Sequence, residues 1–148
     1  MTQTRDTSQR KQDVLDMLQR ERDLWVVSAS ATGDAYIVPL SFSWDGVHLT
    51  VATPKRNRTA RNLRRAGRAR VALGPPTDVV ILEGPVEEIA VTSNADLADA
   101  HTHVVGFDAR DQPEEYVFIR LTPERIQAWR SPAELPDHDV MRAGSWLA

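Results

Sequence analysis

The chain has no cysteine. That absence excludes disulfides, thiolate nucleophiles, cysteine zinc sites and iron–sulfur clusters together. Positive charge is not in excess either: 18 Lys and Arg stand against 21 Asp and Glu, a formal net charge of −3. No global field therefore draws the protein to nucleic acid or to an anionic membrane. No apolar run approaches the roughly 18 residues that a membrane span needs. Residues 1–22 are polar and charged, without the apolar core of a signal peptide. The expectation is a cytoplasmic protein with no nucleic-acid and no membrane partner. Internal repeats and low-complexity tracts are also missing. The 148 residues suit one domain. A flexible N-terminal segment is expected over 1–12, then a single domain over 13–148 that includes a Pro-rich C-terminal tail from Ser131.

What is present is mostly strand pattern. Residues 13–21 place Val14, Leu15 and Leu18 on a narrow helical stripe. Residues 24–30 (LWVVSAS) are β-branched and aromatic. In residues 35–44 (AYIVPLSFSW), Tyr36, Val38, Leu40, Phe42 and Trp44 alternate with smaller residues, the mark of a strand with one apolar face. Asp45-Gly46 and a second alternating run follow at once, which predicts a hairpin with a type I′ turn. Pro39 lies within the first run and can donate no ladder bond, so it marks an edge, a bulge or a place where something other than a strand approaches. A short helix is expected over 59–66 with Gly67 as its C′ residue, and another over 93–104 with Ser93 or Asn94 as cap and Ala95, Leu97, Ala98 and Ala100 inward. Further strands are expected at 70–73, 79–89 (bent at Gly84-Pro85), 116–121 and 125–129. Trp25, Phe42 and Trp44 read as core. Short turns make the pairing mostly antiparallel, and the fold class is mainly β, a β-barrel with short helices.

The segment with chemistry in it is TPKRNRTARNLRRAGRAR, residues 53–70. Eight of its eighteen residues are Lys or Arg. They fall where a strand ends and a helix begins, and such a junction presents unpaired N–H groups and the positive end of the helix dipole. Thr53 and Thr59 add hydroxyls, with Thr59 suited to the cap. Lys55, Arg56 and Arg58 precede the helix, where they could converge on a phosphate. Arg61 and Arg65 share a face one turn apart. The competing reading is a solvated basic helix balanced by acidic residues elsewhere. A nucleic-acid site lacks its motif and its interleaved aromatics.

The order of these features resembles the pyridoxamine 5'-phosphate oxidase-like, FMN-binding split-barrel family. What carries the likeness is a strand with an internal Pro (IVPLSF), a Trp-Asp-Gly hairpin, a strand ending in Thr (LTVAT), a basic loop, a helix bearing Arg-Asn-Leu, and the closing TPERIQAWR. The resemblance implies a six-stranded antiparallel split barrel, a homodimer with cofactor sites at the subunit interface, and a small-molecule substrate. The implied cofactor is FMN, with the deazaflavin coenzyme F-420 in one branch and haem in a few members. It also implies that Pro39, Leu40 and Ser41 run along the flavin ring. Thr53, Lys55, Arg56, Arg58, Thr59, Arg61 and Asn62 would hold the phosphate, and Trp129 would lie near the ring or the interface. Many deazaflavin-binding members carry Lys where this chain has Thr59, which leans the expectation toward FMN. The implied function is a flavin-dependent oxidoreductase of undefined substrate, with a non-catalytic flavin carrier as the rival. Hydride chemistry would belong to the cofactor, so no catalytic side chain is named.

His101 and His103 stand two apart on one helix and cannot grip a metal jointly. They read as surface residues, and no metal site is expected. His48 alternates away from the apolar face. An axial haem ligand would have to come from His48, His101, His103 or His138. Trp146 is expected either to be disordered or to dock across a dimer.

Overall fold

The structure is a computed structural model and describes residues 4–148. Helix α1 (Thr7–Arg20) leads into strands β1 (Asp23–Ala29), β2 (Ala35–Trp44) and β3 (Leu49–Pro54). Helix α2 (Arg58–Ala66), β4 (Arg68–Leu73), β5 (Val79–Ala90) and α3 (Ala95–Val105) follow. The chain closes with β6 (Tyr116–Leu121), β7 (Arg125–Trp129), β8 (Asp139–Arg142) and β9 (Ser145–Trp146).

Six strands form a closed ring in the order β4-β1-β2-β3-β6-β5, with β5 paired back to β4. Every pairing is antiparallel. The protein is thus mainly β, a six-stranded antiparallel barrel with short helices. β5 makes the closure possible. Its first half, Val79 to Glu83, lies between β4 and β7, and its second half, Val86 to Ala90, pairs with β6. The bend falls at Gly84, where a Cβ would stand 2.1 Å from the Thr122 carbonyl oxygen. Only a residue without a side chain permits that approach. The barrel interior is filled by Leu24, Val26, Phe42, Leu49, Val51, Val71, Leu82, Ile119 and Ile126, all buried. Ala60 and Leu63 of α2 close one end, and Val14 and Leu18 of α1 join the same core.

The barrel is split between β2 and β3. These strands pair only through Phe42–Val51, Ser43–Thr50 and Trp44–Leu49. Before Phe42, β2 is held by β1 alone. After Val51, β3 is held by β6 alone. Pro39 sits on the open stretch of β2, so its missing N–H costs no bond to β3.

Five expectations change. The segment 1–12 is not flexible throughout: α1 begins at Thr7, because the Asp6 side chain accepts from the Gln9 amide and caps it. Just ahead, Arg5 donates to Glu134 at 2.8 Å and to Asp13 at 3.0 Å, which ties the N-terminal segment to the far end of the chain. Residues 1–3 of that expectation lie outside the described residues. The β2–β3 turn is not type I′, since Gly46 (φ 98°) is its only left-handed residue and type I′ needs two. The Asp45 carboxylate instead accepts from the Val47 amide and secures the turn. The C-terminal tail extends the sheet as β8 and β9, and Trp146 packs on the core of its own chain beneath the Lys11 ammonium. Trp25 faces outward and is 48 % exposed. Finally, α3 turns Ala98 and His101 inward, whereas Ala95 and Ala100 are exposed. No helix is long and apolar enough to cross a membrane among the described residues.

Candidate functional site

Where β2 and β3 part, a cavity of about 280 Å³ opens. Leu40 and Ser41 line it from β2, and Ala52 and Pro54 from β3. His101 and Val105 of α3, with Phe107 and Tyr116, complete the wall. The local cause is register. Each strand loses its neighbour one residue beyond the last β2–β3 pair, and α3 lies across the gap. The volume is at the small end of ligand pockets.

The basic loop and α2 adjoin the cavity through Pro54. Asn57, not Thr59, caps α2: its Oδ1 accepts from the Ala60 amide at 2.9 Å. Its Nδ2 donates to the Thr53 hydroxyl at 2.6 Å, so one side chain sets the helix start against the end of β3. The amides of Arg58 and Thr59 have no protein acceptor among the described residues. They present the usual orphan donors of a helix start.

The basic residues divide into two sets. Arg64 is neutralised by Glu88, Arg68 by Glu124 and Arg70 by Glu83, and Lys55 lies 3.5 Å from Glu115. Arg65 donates to the Ala29 carbonyl at 2.8 Å. These five fit a balanced, solvated surface. Arg56, Arg58 and Arg61 have no carboxylate partner among the described residues and are exposed. The Arg58 guanidinium lies 4.8 Å over the Tyr36 ring, a contact that reaches from α2 across the split to the open edge of β2. Three guanidinium groups without a carboxylate partner thus stand beside the unpaired Arg58 and Thr59 amides, donors of the kind that receive an anion.

The other expected site residues are distributed as follows. Thr53 and Thr59 are both 1 % exposed and face the interior. Asn62 is buried and donates to the Ser28 hydroxyl at 3.0 Å, anchoring α2 to β1. Pro39, Leu40 and Ser41 follow one another along the open edge, and the Ser41 hydroxyl donates to Asp23 at 2.7 Å. Trp129 is not brought to the cavity. It pairs with Val79 at the opposite end of β5 from Ala90, and its ring packs edge-on against His138.

Sequence reasoning missed two side chains. Alternation assigns Tyr36 only to an apolar strand face. His101 was read as a surface residue, yet it is 1 % exposed, with Nδ1 2.7 Å from the Ser43 hydroxyl and its ring edge-on to Phe118. Burial pushes its pKa down from 6.5 to about 4. The signal for it was spacing, because His101 and the inward Ala98 are three apart. His48 is half-buried and bonded to Asp45, and His103 is exposed. No group of three or more metal-ligating residues stands together among the described residues.

A closed antiparallel barrel, split between its second and third strands beside a basic helix start, defines the split-barrel class. Within that class the chain belongs to the pyridoxamine 5'-phosphate oxidase family, whose sequence profile matches residues 11–130. No curated protein matches it. Among solved structures it is similar to the conserved hypothetical protein Rv2991 of Mycobacterium tuberculosis, with 17 % identity and TM-score 0.69 over 88 % of this chain and 90 % of that one. It is also similar to an F420 reductase, with 15 % identity and TM-score 0.63 over 75 % and 93 % of the two chains. A heme binding protein from Mycobacterium smegmatis matches at 15 % identity and TM-score 0.67, over 88 % of this chain and 57 % of that one. At such identities these likenesses establish the fold alone.

Proposed function

We propose that the chain binds a flavin-type cofactor by its phosphate and acts as an oxidoreductase of the pyridoxamine 5'-phosphate oxidase-like family. The observation that carries this reading is the set Arg56, Arg58 and Arg61, uncompensated by any carboxylate among the described residues and gathered where α2 starts beside the split. A phosphate there would meet guanidinium donors and first-turn amides together. The ring would then lie along the open edge of β2, past Pro39 and Leu40. Bound there, the cofactor would supply hydride chemistry, and the protein would supply binding, orientation and exclusion of water.

FMN is the leading ligand. Thr59 stands where many deazaflavin-binding relatives carry Lys, and it is buried, so no cation replaces that Lys at its own position. The deazaflavin coenzyme F-420 is the second ligand, favoured by the likeness to the F420 reductase. A carrier without turnover could cover both ring faces. An oxidoreductase must instead leave one ring face reachable, and the cavity opens beside the edge where the ring would lie.

The partner in this reading is a second copy of the chain. Trp25 is 48 % and Ile37 56 % exposed on the outer face of β1 and β2, where Trp25 stands opposite Pro39 and Val27 opposite Ile37. A copy docked there would remove an apolar face from water. Trp129, remote from the cavity of its own chain, would enter a site only from such a copy.

Calorimetric titration of the purified protein with FMN, and separately with coenzyme F-420, tests the proposal. Micromolar or tighter binding of either is the expected result. Absence of binding to both would overturn it.

A further inference from the structure

The cavity at the split has a chemical character of its own, distinct from the anion site beside it. None of its eight lining residues carries a formal charge at neutral pH: they are Leu40, Ser41, Ala52, Pro54, His101, Val105, Phe107 and Tyr116. Two aromatic rings, Phe107 and Tyr116, stand 5.5 Å apart in the wall. The Ser41 hydroxyl is already engaged with Asp23.

His101 differs from the rest of the lining. It is 99 % removed from solvent, and Ser43 and Phe118 hold its ring on two sides. Nδ1 is occupied by the Ser43 hydroxyl. Among the described residues Nε2 has no protein partner, and it is not sealed off as the unpartnered Arg10 Nε is. His101 lines the cavity, and an unpartnered imidazole nitrogen there is an unmet hydrogen bond, which a ligand in the cavity can satisfy. The Ser43 contact sets the tautomer: if the hydroxyl donates to Nδ1, Nε2 carries the proton and donates; if Nδ1 donates, Nε2 accepts.

We propose that this cavity selects an uncharged, largely apolar, planar substrate and that His101 Nε2 recognises its one polar edge. The inference rests on the flavin reading only for calling the ligand a substrate. The recognition itself follows from the lining. A phosphorylated or carboxylate substrate would enter an apolar pocket with no cation to receive it, and burying an unpaired anion is strongly unfavourable. None of the basic residues of the loop or of α2 lines the cavity, and Lys55, next to Pro54, is already paired with Glu115.

Side-chain nitrogen NMR on the four histidines provides the test, with 2-quinolone as the neutral probe and quinoline-2-carboxylate as its anionic counterpart. The lactam edge of 2-quinolone offers both a donor and an acceptor, so either tautomer of His101 can engage it. The expected result is a shift of the His101 Nε2 signal with 2-quinolone, none with the carboxylate, and at least tenfold weaker 2-quinolone binding in His101→Phe. Ser43→Ala, which leaves the ring in place but frees Nδ1, should weaken binding less and change the tautomer signature, so it remains informative even if His101→Phe fails to fold. Equal or tighter binding of the carboxylate would overturn the proposal, as would 2-quinolone leaving the His101 signal unmoved. FMN titrated into the same sample separates the two readings: FMN binding with an unmoved His101 sinks this inference alone, and a moved His101 without FMN binding sinks the cofactor reading alone.

Discussion

The guanidinium of Arg58 lies 4.8 Å over the ring of Tyr36, and this contact bridges the split in the barrel. Tyr36 is on the open stretch of β2, and Arg58 is the first residue of α2. The ring therefore holds in place a cation that has no carboxylate among the described residues to orient it. Cation–π contacts at exposed sites are worth about 0.5–1 kcal/mol. Tyr36→Ala is expected to weaken FMN binding about two- to fivefold, whereas Tyr36→Phe, which keeps the ring face, should bind as the parent does. Calorimetry on the two variants checks this. Equal losses in both would assign the effect to the hydroxyl instead.

The division of the basic residues predicts a sharper contrast. Arg58→Ala and Arg61→Ala each remove a guanidinium with no carboxylate partner among the described residues, and a charge-assisted contact to phosphate contributes about 1.5–3 kcal/mol. Each variant is expected to lose about tenfold or more in FMN affinity. Arg68→Ala removes a cation already bound to Glu124 at 3.0 Å and should leave FMN affinity nearly unchanged. Its surface ion pair is worth at most about 1 kcal/mol of stability. If all three variants weaken FMN equally, binding responds to total charge and the anion site is not localised.

The barrel was legible because its cause is local. Alternation in β2, the Asp45-Gly46 turn signal and the Gly84-Pro85 interruption each report a strand, a hairpin or a bend through neighbouring residues. The tail was not legible in this way. Its strands are two to four residues long, and they exist because β7 is already present for β8 to pair with. The N-terminal helix start was hidden likewise, because Arg5 is held by Glu134, 129 residues away. In the site, the basic segment was conspicuous, but its division into neutralised and free cations depends on Glu83, Glu88 and Glu124, placed by pairing across the sheet. His101 was obscured because the sequence also offered Ala95 and Ala100 as inward residues, and only the packing of α3 singles out the Ala98–His101 face.

The junction of β3 and α2 depends on Asn57, which caps the helix and donates to buried Thr53. Asn57→Ala loses the cap, typically about 1 kcal/mol, and leaves a buried hydroxyl without its donor, so a total loss of about 2–3 kcal/mol is expected. Asn57→Asp keeps an acceptor for the cap, and the Thr53 hydroxyl can rotate to donate to it. That variant should stay within about 0.5 kcal/mol of the parent while its added negative charge repels the phosphate and weakens FMN about tenfold. Urea unfolding beside FMN titration reads both quantities. Parallel losses of stability and affinity in the aspartate variant would contradict the separation of capping from binding.

Burial of His101 makes stability depend on pH in a defined window. Its pKa is about 4 in the folded protein against 6.5 for an exposed imidazole, and desolvation of the charged form is the cause. Between these values the unfolded chain binds the proton and the folded protein does not, so the contribution is fully present above pH 6.5 and is lost as pH falls toward 4. The slope of that loss is at most about 1.4 kcal/mol per pH unit. Glu134 acts in a lower window. The Arg5 side chain, through its hydrogen bonds, holds its pKa at about 2 against an ordinary 4.5, so its contribution is present above pH 4.5 and lost toward pH 2. Urea midpoints measured from pH 7.5 to 5 therefore isolate the histidine. In His101→Gln, which cannot titrate, the decline over that range should largely disappear, while the loss below pH 4.5 persists. An unchanged slope in His101→Gln would mean that another group titrates between pH 6.5 and 5. The imidazole would then not be the neutral, desolvated ring that its place between Ser43 and Phe118 requires.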